Sequence, residues 1–380
     1  MRTCIGNGKI FVNKDLTLPK GYVLIEDGTI TYCGQEKPKC SFDKYIDALG
    51  NNICPALIDT HTHGIGGYDF NTCSLENFEE IEKLEYKEGV GSLFCSLVPE
   101  THERLIELLK MYDTCKSSLL GGIHLEGPFL NLSKKAVMKE EMLQSPHYDH
   151  FKEYINRTTK LKSMTYACEL DTNHQLLQQG IEAGIIMNIG HSDATCQQVL
   201  EAEKHGAKGV THLYNAMSQH EHRNPGVVTG AFVSDGLICE LIADGFHVHP
   251  DVIKATYKVL GKDRIILVSD ANPFKSAKEG DYIFSGKNIH VTKDKALVKE
   301  TGRIAGSTLK MNVACQNMMK YCHCSISDVL NMAAFLPGNY YELNRGSLEK
   351  GKIGDIIIIN DSFDILSMYK DETFYNYELI

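Results

Sequence analysis

The feature that most constrains the fold is an alternation of apolar, β-favouring runs with helical patterns such as "SLENFEEIEKLEYKEG", starting near residue 53. There are eight such runs: "ICPALIDTHTH", "VGSLFCSLVPE", "GGIHLEGPF", "SMTYACEL", "GIIMNIGHSDAT", "GVTHLYNAM", "LICELIADGFHVHP" and "RIILVSDANPF". Repeated strand and helix units are typical of a parallel sheet with its helices outside. The sequence therefore predicts an α/β protein built on a (β/α)8 barrel of the TIM type.

The two ends of the chain show a different pattern. The first fifty residues contain short apolar runs with turns, including the hairpin signal Asp27-Gly28, and the last stretch contains a strand over Ile356–Ile359. Each end holds too few strands for a stable sheet of its own. We therefore predict that residues 1–52 and 345–380 combine into one small β-sandwich domain beside a barrel formed by residues 53–344.

Composition excludes some classes of partner. Lys and Arg number 39 against 49 Asp and Glu, which gives a net charge of -10, and no basic cluster is interleaved with aromatic residues. A nucleic-acid partner is therefore not expected. No run approaches the roughly 18 apolar residues of a membrane span, and the first residues lack the apolar core of a signal peptide. The thirteen cysteines, an odd number scattered through apolar runs, favour a reducing compartment, so we predict a cytoplasmic protein that binds no membrane.

Polar residues at the ends of the apolar runs predict a metal site. His61 and His63 point to the same side of a strand because side chains alternate with a period of two. An isolated pair of this kind also occurs as hydrogen-bonded strand-end histidines, so further ligands are needed. The other runs supply these at their ends: Glu126, Glu169, His191, His212, His247, His249 and Asp270. Such strand ends meet at the mouth of a barrel, where barrel enzymes carry their chemistry.

The motifs that carry these residues are similar to those of a known family. The motifs are "PALIDTHTHGIGG", "HLEGPFLN", "GHSDAT", "THLYNAMSQHEHRNPGVVTGA", "ELIADGFHVHP", "LVSDA" and "RIAGSTLKM". In this order they resemble N-acetylglucosamine-6-phosphate deacetylases of the amidohydrolase superfamily, over essentially the whole chain. The resemblance implies metal-dependent hydrolysis of the N-acetyl group of N-acetylglucosamine 6-phosphate. The products would be glucosamine 6-phosphate and acetate, as in amino-sugar catabolism.

The resemblance also implies the metal ligands. Glu126, His191 and His212 correspond to the ligands of one divalent metal in the family. His61 and His63 can help to hold a second metal, which gives one or two ions per subunit. Histidine and carboxylate ligands accept zinc, iron, manganese and cobalt, so the sequence does not select among these metals.

Asp270 is the predicted catalytic residue. Amide hydrolysis at neutral pH needs a nucleophile better than water, and a bound divalent metal lowers the pKa of its water to about 7. Asp270, at the end of the eighth run, would accept the proton of that water and pass it to the departing amine. The resemblance also leaves Asp270 or Glu126 as a contributor to the second metal site. The alternative for Asp270 is a strand-end carboxylate that caps a turn.

The resemblance further implies how the substrate's phosphate is bound. It points to Asn215 and Ala216 in "YNAM", to His247, and to Arg223 in "HRNPG". In the family the arginine reaches across a dimer interface into the neighbouring subunit's site, so we predict a homodimer. The planar fork of an arginine can donate two hydrogen bonds to phosphate oxygens.

One position departs from the family pattern. After "HLEGPFLN" the family carries a histidine that helps to orient the acyl group, whereas this chain carries Met138. A thioether donates no hydrogen bond. The change therefore leaves three alternatives open: another N-acyl amino sugar phosphate such as N-acetylgalactosamine 6-phosphate as substrate, slower chemistry that relies on the metals alone, or replacement of the histidine by another residue such as His147. Two competing functions also remain, a weakly active sugar-phosphate binding protein and another amidohydrolase.

Overall fold

The computed structural model describes residues 1–284, 287–292, 295–302 and 305–377. Arg303 and Ile304 of the motif "RIAGSTLKM" lie outside these ranges. The strands in chain order are β1 Arg2–Phe11, β2 Thr17–Glu26, β3 Thr29–Gly34, β4 Lys44–Asp47, β5 Asn52–Pro55, β6 Leu57–Thr62, β7 Gly64–Ile65, β8 Tyr68–Asp69, β9 Val90–Leu97, β10 Leu120–Glu126, β11 Leu161–Tyr166, β12 Ile186–Ile189, β13 Gly209–Val210, β14 Ile238–Leu241, β15 Ile265–Leu267, β16 Gly280–Phe284, β17 Lys287–Val291, β18 Ala296–Val298, β19 Ile356–Ile359, β20 Ile365–Lys370 and β21 Thr373–Asn376.

The helices surround the central strands. They are α1 Phe78–Lys87, α2 His102–Asp113, α3 Tyr148–Arg157, α4 Gln175–Glu182, α5 Cys196–Lys204, α6 Val227–Val233, α7 Pro250–Leu260, α8 Met311–Cys322, α9 Ile326–Leu330 and α10 Leu336–Tyr340, with a π-helical turn over Asn331–Phe335 between the last two. In the part of the chain that the structure describes, no helix is both long enough and apolar enough to cross a bilayer.

The parallel barrel is formed by β6 and β9 to β15, in the order β15-β14-β13-β12-β11-β10-β9-β6. Its two end strands meet just beyond their hydrogen-bonded ladders. There, Thr62 and Ala271 form a parallel bridge, and the Asp270 N–H donates to the His61 carbonyl at 2.8 Å. Every residue of β9 is buried, because one face packs inside the barrel and the other under the helices. The predicted (β/α)8 barrel is confirmed.

The strands of the two chain ends join in one sheet, in the order β21-β20-β19-β5-β1-β2-β3, with β4 paired to β1. Residues from both ends share a core that includes Ile5, Ile53 and Ile358. Asp27 and Gly28 connect β2 to β3 with φ values of 48° and 77°, which is the positive φ that a tight two-residue hairpin turn requires. The predicted β domain built from both termini is confirmed, while the division at residues 52 and 345 stays a prediction.

A second small sheet follows the last barrel strand. β16, β17 and β18 form an antiparallel sheet with a core of its own around Ile289 and Val291. The eight-run pattern did not indicate this sheet, because its strands are short and weakly apolar. The chain returns from it to the barrel mouth at Ala305, whose carbonyl accepts a hydrogen bond from the Asn272 side chain at 2.8 Å. The insertion therefore contributes to the wall of the site.

Candidate active site

Two groups of three side chains gather at the carboxyl end of the barrel. The groups are His61, His63 and Asp270, and Glu126, His191 and His212. His61 lies in β6 and Glu126 ends β10, whereas His191, His212 and Asp270 follow β12, β13 and β15 by two or three residues. The structure thus brings together all six residues that the sequence predicted as metal ligands or catalytic base.

Backbone conformation turns three of these side chains toward the centre. His191, His212 and Asp270 have φ values of 46°, 30° and 44°, in the left-handed region that few residues other than glycine adopt. Such a conformation costs about 1–3 kcal/mol each and persists only where the surroundings impose it. Gly190 allows the turn at His191, since a Cβ there would lie 2.7 Å from Cγ2 of Thr165. Three residues in this conformation thus lie at the predicted site.

Glu126 is the centre of the first group. Its Oε1 lies 3.1 Å from Nε2 of His191 and 3.0 Å from Nε2 of His212, and those two nitrogens are 3.1 Å apart. The three residues are 3% exposed. Two ring nitrogens and a carboxylate oxygen therefore face one point that water barely reaches.

The second group shares Glu126 with the first. Nε2 of His63 lies 3.3 Å from the other oxygen of Glu126, Oε2, and 3.2 Å from Oδ1 of Asp270. The same Asp270 oxygen is 3.4 Å from Nε2 of His61, and the Nε2 atoms of His61 and His63 are 3.3 Å apart. Glu126 thus presents one oxygen to each group, as a carboxylate placed between two cations would.

Hydrogen bonds on the far side of the rings fix which nitrogens face the centre. Nδ1 of His63 donates to the carbonyl of Ser96 at 3.0 Å, and Nδ1 of His191 donates to the carbonyl of Lys134 at 2.8 Å. A carbonyl only accepts, so each Nδ1 carries a proton, and Nε2 is the nitrogen that faces the centre and can turn its lone pair to a cation there. Lone pairs and carboxylate oxygens then face one another, an arrangement that a divalent cation satisfies.

The electrostatics of the site agree with a cation. Burial alone would lower the pKa of His61, but the carboxylates of Asp270 and Glu240 outweigh it and raise the pKa to about 9. Burial alone would raise the pKa of Glu126, but its hydrogen bonds with His191, His212 and His63 hold that pKa well below the usual range. The field at the centre therefore favours positive charge. Imidazole and carboxylate ligands fit zinc, iron, manganese or cobalt.

A cavity of about 310 Å³ opens over these groups. Asn215, Ala216 and His247, predicted to bind phosphate, line it together with Met138. Asp244 holds Nδ1 of His247 at 2.6 Å. Burial alone would lower the pKa of His247, but this hydrogen bond outweighs it and raises the pKa. His247 is thus suited to an anionic ligand.

Three other sequence candidates lie elsewhere. Arg223 is exposed and is not among the described residues that line the cavity. Glu169 accepts hydrogen bonds from the Ser192 hydroxyl and the Asp193 N–H, so it supports the loop after His191 from behind. The expectation that His249 lines the mouth is wrong, because its side chain caps α7 and is 69% exposed.

Two buried residues at the site were not singled out from the sequence. Glu240 contacts His61, and Lys275 lies in a cluster of carboxylates behind β6. The signal for Glu240 was present, since an acidic residue interrupts the apolar run "LICELIA". An acidic residue inside a strand buried on both faces needs a partner, and here the partner is a candidate metal ligand.

The fold and the site together define a class of protein. A parallel barrel with imidazole and carboxylate side chains at the carboxyl ends of its strands is the architecture of barrel hydrolases that use divalent metals. The chain belongs to the amidohydrolase family, whose sequence model matches residues 52–376.

Individual relatives agree with the motifs. The chain is 32% identical over 367 residues to the N-acetylglucosamine-6-phosphate deacetylase of Bacillus subtilis (strain 168), covering 93% of this chain and 92% of the relative. It is 29% identical over 323 residues to the N-acetylgalactosamine-6-phosphate deacetylase of Shewanella sp. (strain ANA-3), covering 83% and 81%. The crystal structure of the Pasteurella multocida N-acetylglucosamine-6-phosphate deacetylase superposes with a TM-score of 0.91 at 26% identity, covering 99% and 100%. The resemblance inferred from the motifs is confirmed.

Proposed function

We propose that this protein hydrolyses the N-acetyl group of N-acetylglucosamine 6-phosphate to glucosamine 6-phosphate and acetate, as a cytoplasmic enzyme of amino-sugar catabolism. The observation that carries the proposal is the pair of three-residue groups joined by Glu126 at the floor of a cavity. The relatives named for deacetylation of amino sugar phosphates support the substrate class. All thirteen cysteines are unpaired, which supports the cytoplasmic location.

The residues present fit one or two divalent ions. Glu126, His191 and His212 would hold one ion, and His61 and His63 would hold a second, with Glu126 or Asp270 as a further ligand. A divalent cation bound there supplies Lewis acidity toward the amide carbonyl and toward water. The protein's remaining task is to place the substrate and to move a proton.

Asp270 moves the proton. Its carboxylate faces the same point as His61 and His63, so it can accept a proton as water adds to the amide carbonyl carbon. The carbon–nitrogen bond then breaks, and Asp270 returns the proton to the departing amine. Water supplies the second oxygen of acetate and the two protons that turn the amide nitrogen into an ammonium group, so the reaction needs no other reagent.

His247 and two further residues that line the cavity would hold the phosphate. Asp244 occupies Nδ1 of His247, which leaves Nε2 as the donor to a phosphate oxygen. Asn215 and Ala216 also line the cavity and are the further candidates for contacts with the phosphate.

Acetate release tests the proposed function. The metal-reconstituted protein is assayed with N-acetylglucosamine 6-phosphate and, because one relative is named for it, with N-acetylgalactosamine 6-phosphate. We expect turnover with both sugars to be measurable and the glucosamine isomer to be preferred. Acetate from neither sugar, with metal bound, would eliminate the deacetylase and leave a sugar-phosphate binding protein or another amidohydrolase. A preference for the galactosamine isomer would replace the proposed substrate by the alternative.

Met138 should limit the rate without preventing the reaction. It lines the cavity but donates no hydrogen bond, so Met138→His restores a possible donor to the acyl oxygen. We expect kcat/KM for acetate release to rise by about 10²-fold, the low end of what a positioned acid–base group contributes. Met138→Leu, which keeps an apolar side chain, is the matched control and should match the wild type. Equal rates in all three proteins would show that this position does not contact the acyl group.

Arg223 is proposed to act on the partner's site in a homodimer. It is exposed in its own subunit and outside that subunit's cavity, as this role requires. We expect Arg223→Ala to raise KM at least 10-fold, because a bidentate contact to phosphate is lost. Mixing Arg223→Ala with the inactive Asp270→Asn should restore up to about a quarter of wild-type activity, since half the dimers then contain one complete site. No recovery on mixing would place Arg223 in its own subunit's site or in none.

A further inference from the structure

Glu240 is a buried carboxylate that the proposed chemistry does not use. It lies in β14 and is 3% exposed. Nδ1 of His61 donates to its Oε2 at 2.9 Å, and the backbone N–H of His212 donates to the same oxygen at 3.3 Å. One oxygen therefore contacts a residue from each of the two metal-ligand groups.

The partner of His61 differs from those of the other three histidines. His63 and His191 donate from Nδ1 to neutral backbone carbonyls, and Nδ1 of His212 has no hydrogen-bond partner among the described residues. Among these four rings, only that of His61 is hydrogen-bonded through Nδ1 to a carboxylate in the part of the chain that the structure describes. Glu240 thus distinguishes the second group from the first.

A carboxylate on Nδ1 changes what Nε2 can bind. It pulls on the Nδ1 proton more strongly than a carbonyl does, which makes Nε2 a better electron donor and fixes the orientation of the ring. Because His61 is fully buried, the negative charge of Glu240 acts across the ring with little screening by water. Both effects favour a cation at the point that His61 shares with His63 and Asp270.

We propose that Glu240 is the positioning residue that makes this a two-metal centre. It orients His61 and makes its Nε2 a better electron donor, so that a divalent ion binds at His61, His63 and Asp270, whereas the ion at Glu126, His191 and His212 binds without it. The inference rests on the proposed metal-dependent function, but its test counts bound metal and needs no turnover.

The experiment measures metal stoichiometry in the full-length protein. Metal is removed with a chelator, cobalt(II) is titrated back, and bound cobalt is counted by elemental analysis and by its visible absorption spectrum. We expect two cobalt ions per chain in the wild type. In Glu240→Gln, which keeps the shape of the side chain and removes its charge, we expect the first ion to bind normally. The second should bind about 10- to 100-fold more weakly, the usual cost of losing the residue behind a metal-bound histidine.

Two further variants separate positioning from stability. Glu203→Gln removes a carboxylate that accepts hydrogen bonds from Ser234 and Gly236 on a different part of the barrel, and it should still bind two ions. Glu240→Asp keeps the charge but shortens the side chain by one methylene, so the carboxylate moves away from His61 and the second ion should bind more weakly. This variant tests the proposal even if Glu240→Gln does not fold. Two tightly bound ions in the Glu240 variants would overturn the proposal, and so would a single ion in the wild type. Either result would leave the proposed deacetylation standing, because acetate release is assayed separately.

Discussion

Replacing Asp270 by asparagine should reduce acetate release by about 10²- to 10⁴-fold in kcat, the range that a positioned proton-transfer group contributes. The amide of asparagine cannot take a proton from water at neutral pH, so the addition step loses its base and the amine loses its acid. KM should change little, because the lining residues Asn215, Ala216 and His247 are unaltered. Steady-state acetate release with metal-reconstituted protein measures both constants.

Asparagine fits the backbone conformation at position 270, so the substitution should leave the fold intact. Asp270 has a φ of 44°, and asparagine is among the residues that tolerate the left-handed region best. Its N–H donates to the His61 carbonyl at the closing point of the barrel, a hydrogen bond that any side chain preserves. Loss of activity would therefore report on the carboxylate and not on the fold.

The ionisation of Asp270 gives the sign of the pH dependence. Burial alone would raise its pKa, but His61, His63 and His212 outweigh burial and lower the pKa to about 2. A base acts in its ionised form, so Asp270 is competent at every pH above this value. An acidic limb of kcat/KM near neutrality would then belong to another group. Metal content of Asp270→Asn is measured in parallel, and a kcat within tenfold of wild type with normal metal content would refute the assignment of Asp270.

Local sequence patterns predict the barrel and one part of the site. The barrel strands are buried on both faces, so they appear as continuous apolar runs that can be recognised from the local sequence alone. His61 and His63 could be paired from strand alternation alone, because a period of two is a local property. Both predictions needed only neighbouring residues in the sequence.

The remaining features depend on contacts between distant residues. The left-handed φ of His191 and His212 comes from how each strand end meets its neighbours, and no residue type at those positions signals it. Glu240 is recognisable as an acidic residue in a buried strand, but its partner His61 lies 179 residues away. The sheet of β16 to β18 is missed because short strands with exposed faces resemble loops in a pattern of apolar residues.

The buried cluster around Lys275 should carry the largest effect on stability. Its ammonium is fully buried and lies 2.9 Å from Oε1 of Glu85, 3.4 Å from Oε2 of Glu88 and 3.9 Å from Oδ2 of Asp59. Lys275→Met keeps an unbranched chain but leaves these carboxylates buried without their cation. We expect a loss of about 3–5 kcal/mol in the free energy of unfolding, the cost of removing one partner from a buried ion pair. Urea-induced unfolding followed by circular dichroism measures it.

The loss should depend on pH, because the cluster holds more negative than positive charge. Burial outweighs Lys275 and raises the pKa of Glu85 from 4.5 to about 8. A carboxyl whose pKa is raised on folding binds a proton more tightly in the folded state, so its contribution is present below pH 4.5 and is lost as the pH rises through 8. Burial also raises the pKa of Asp59, and without the ammonium of Lys275 the carboxyl groups of Glu85 and Asp59 hold their protons still more tightly. Lys275→Met should therefore differ least from wild type near pH 5 and most near pH 9.

Glu85→Gln is the matched control for this prediction. Glutamine has the shape of a protonated glutamate but cannot ionise. The Glu85→Gln variant should therefore lose much less stability between pH 5 and pH 9 than the wild type does. In the Glu85→Gln background, Lys275→Met leaves one fewer carboxylate unpaired and should cost less than it does alone. A loss below about 1 kcal/mol for Lys275→Met, or a loss that is the same at both pH values, would mean that solvent reaches the cluster and compensates the charges.

Asp59 also accepts a hydrogen bond from the backbone N–H of Ser269 at 3.1 Å, directly before Asp270. The cation that stabilises the cluster thus lies behind the strand ends that position the proposed catalytic carboxylate.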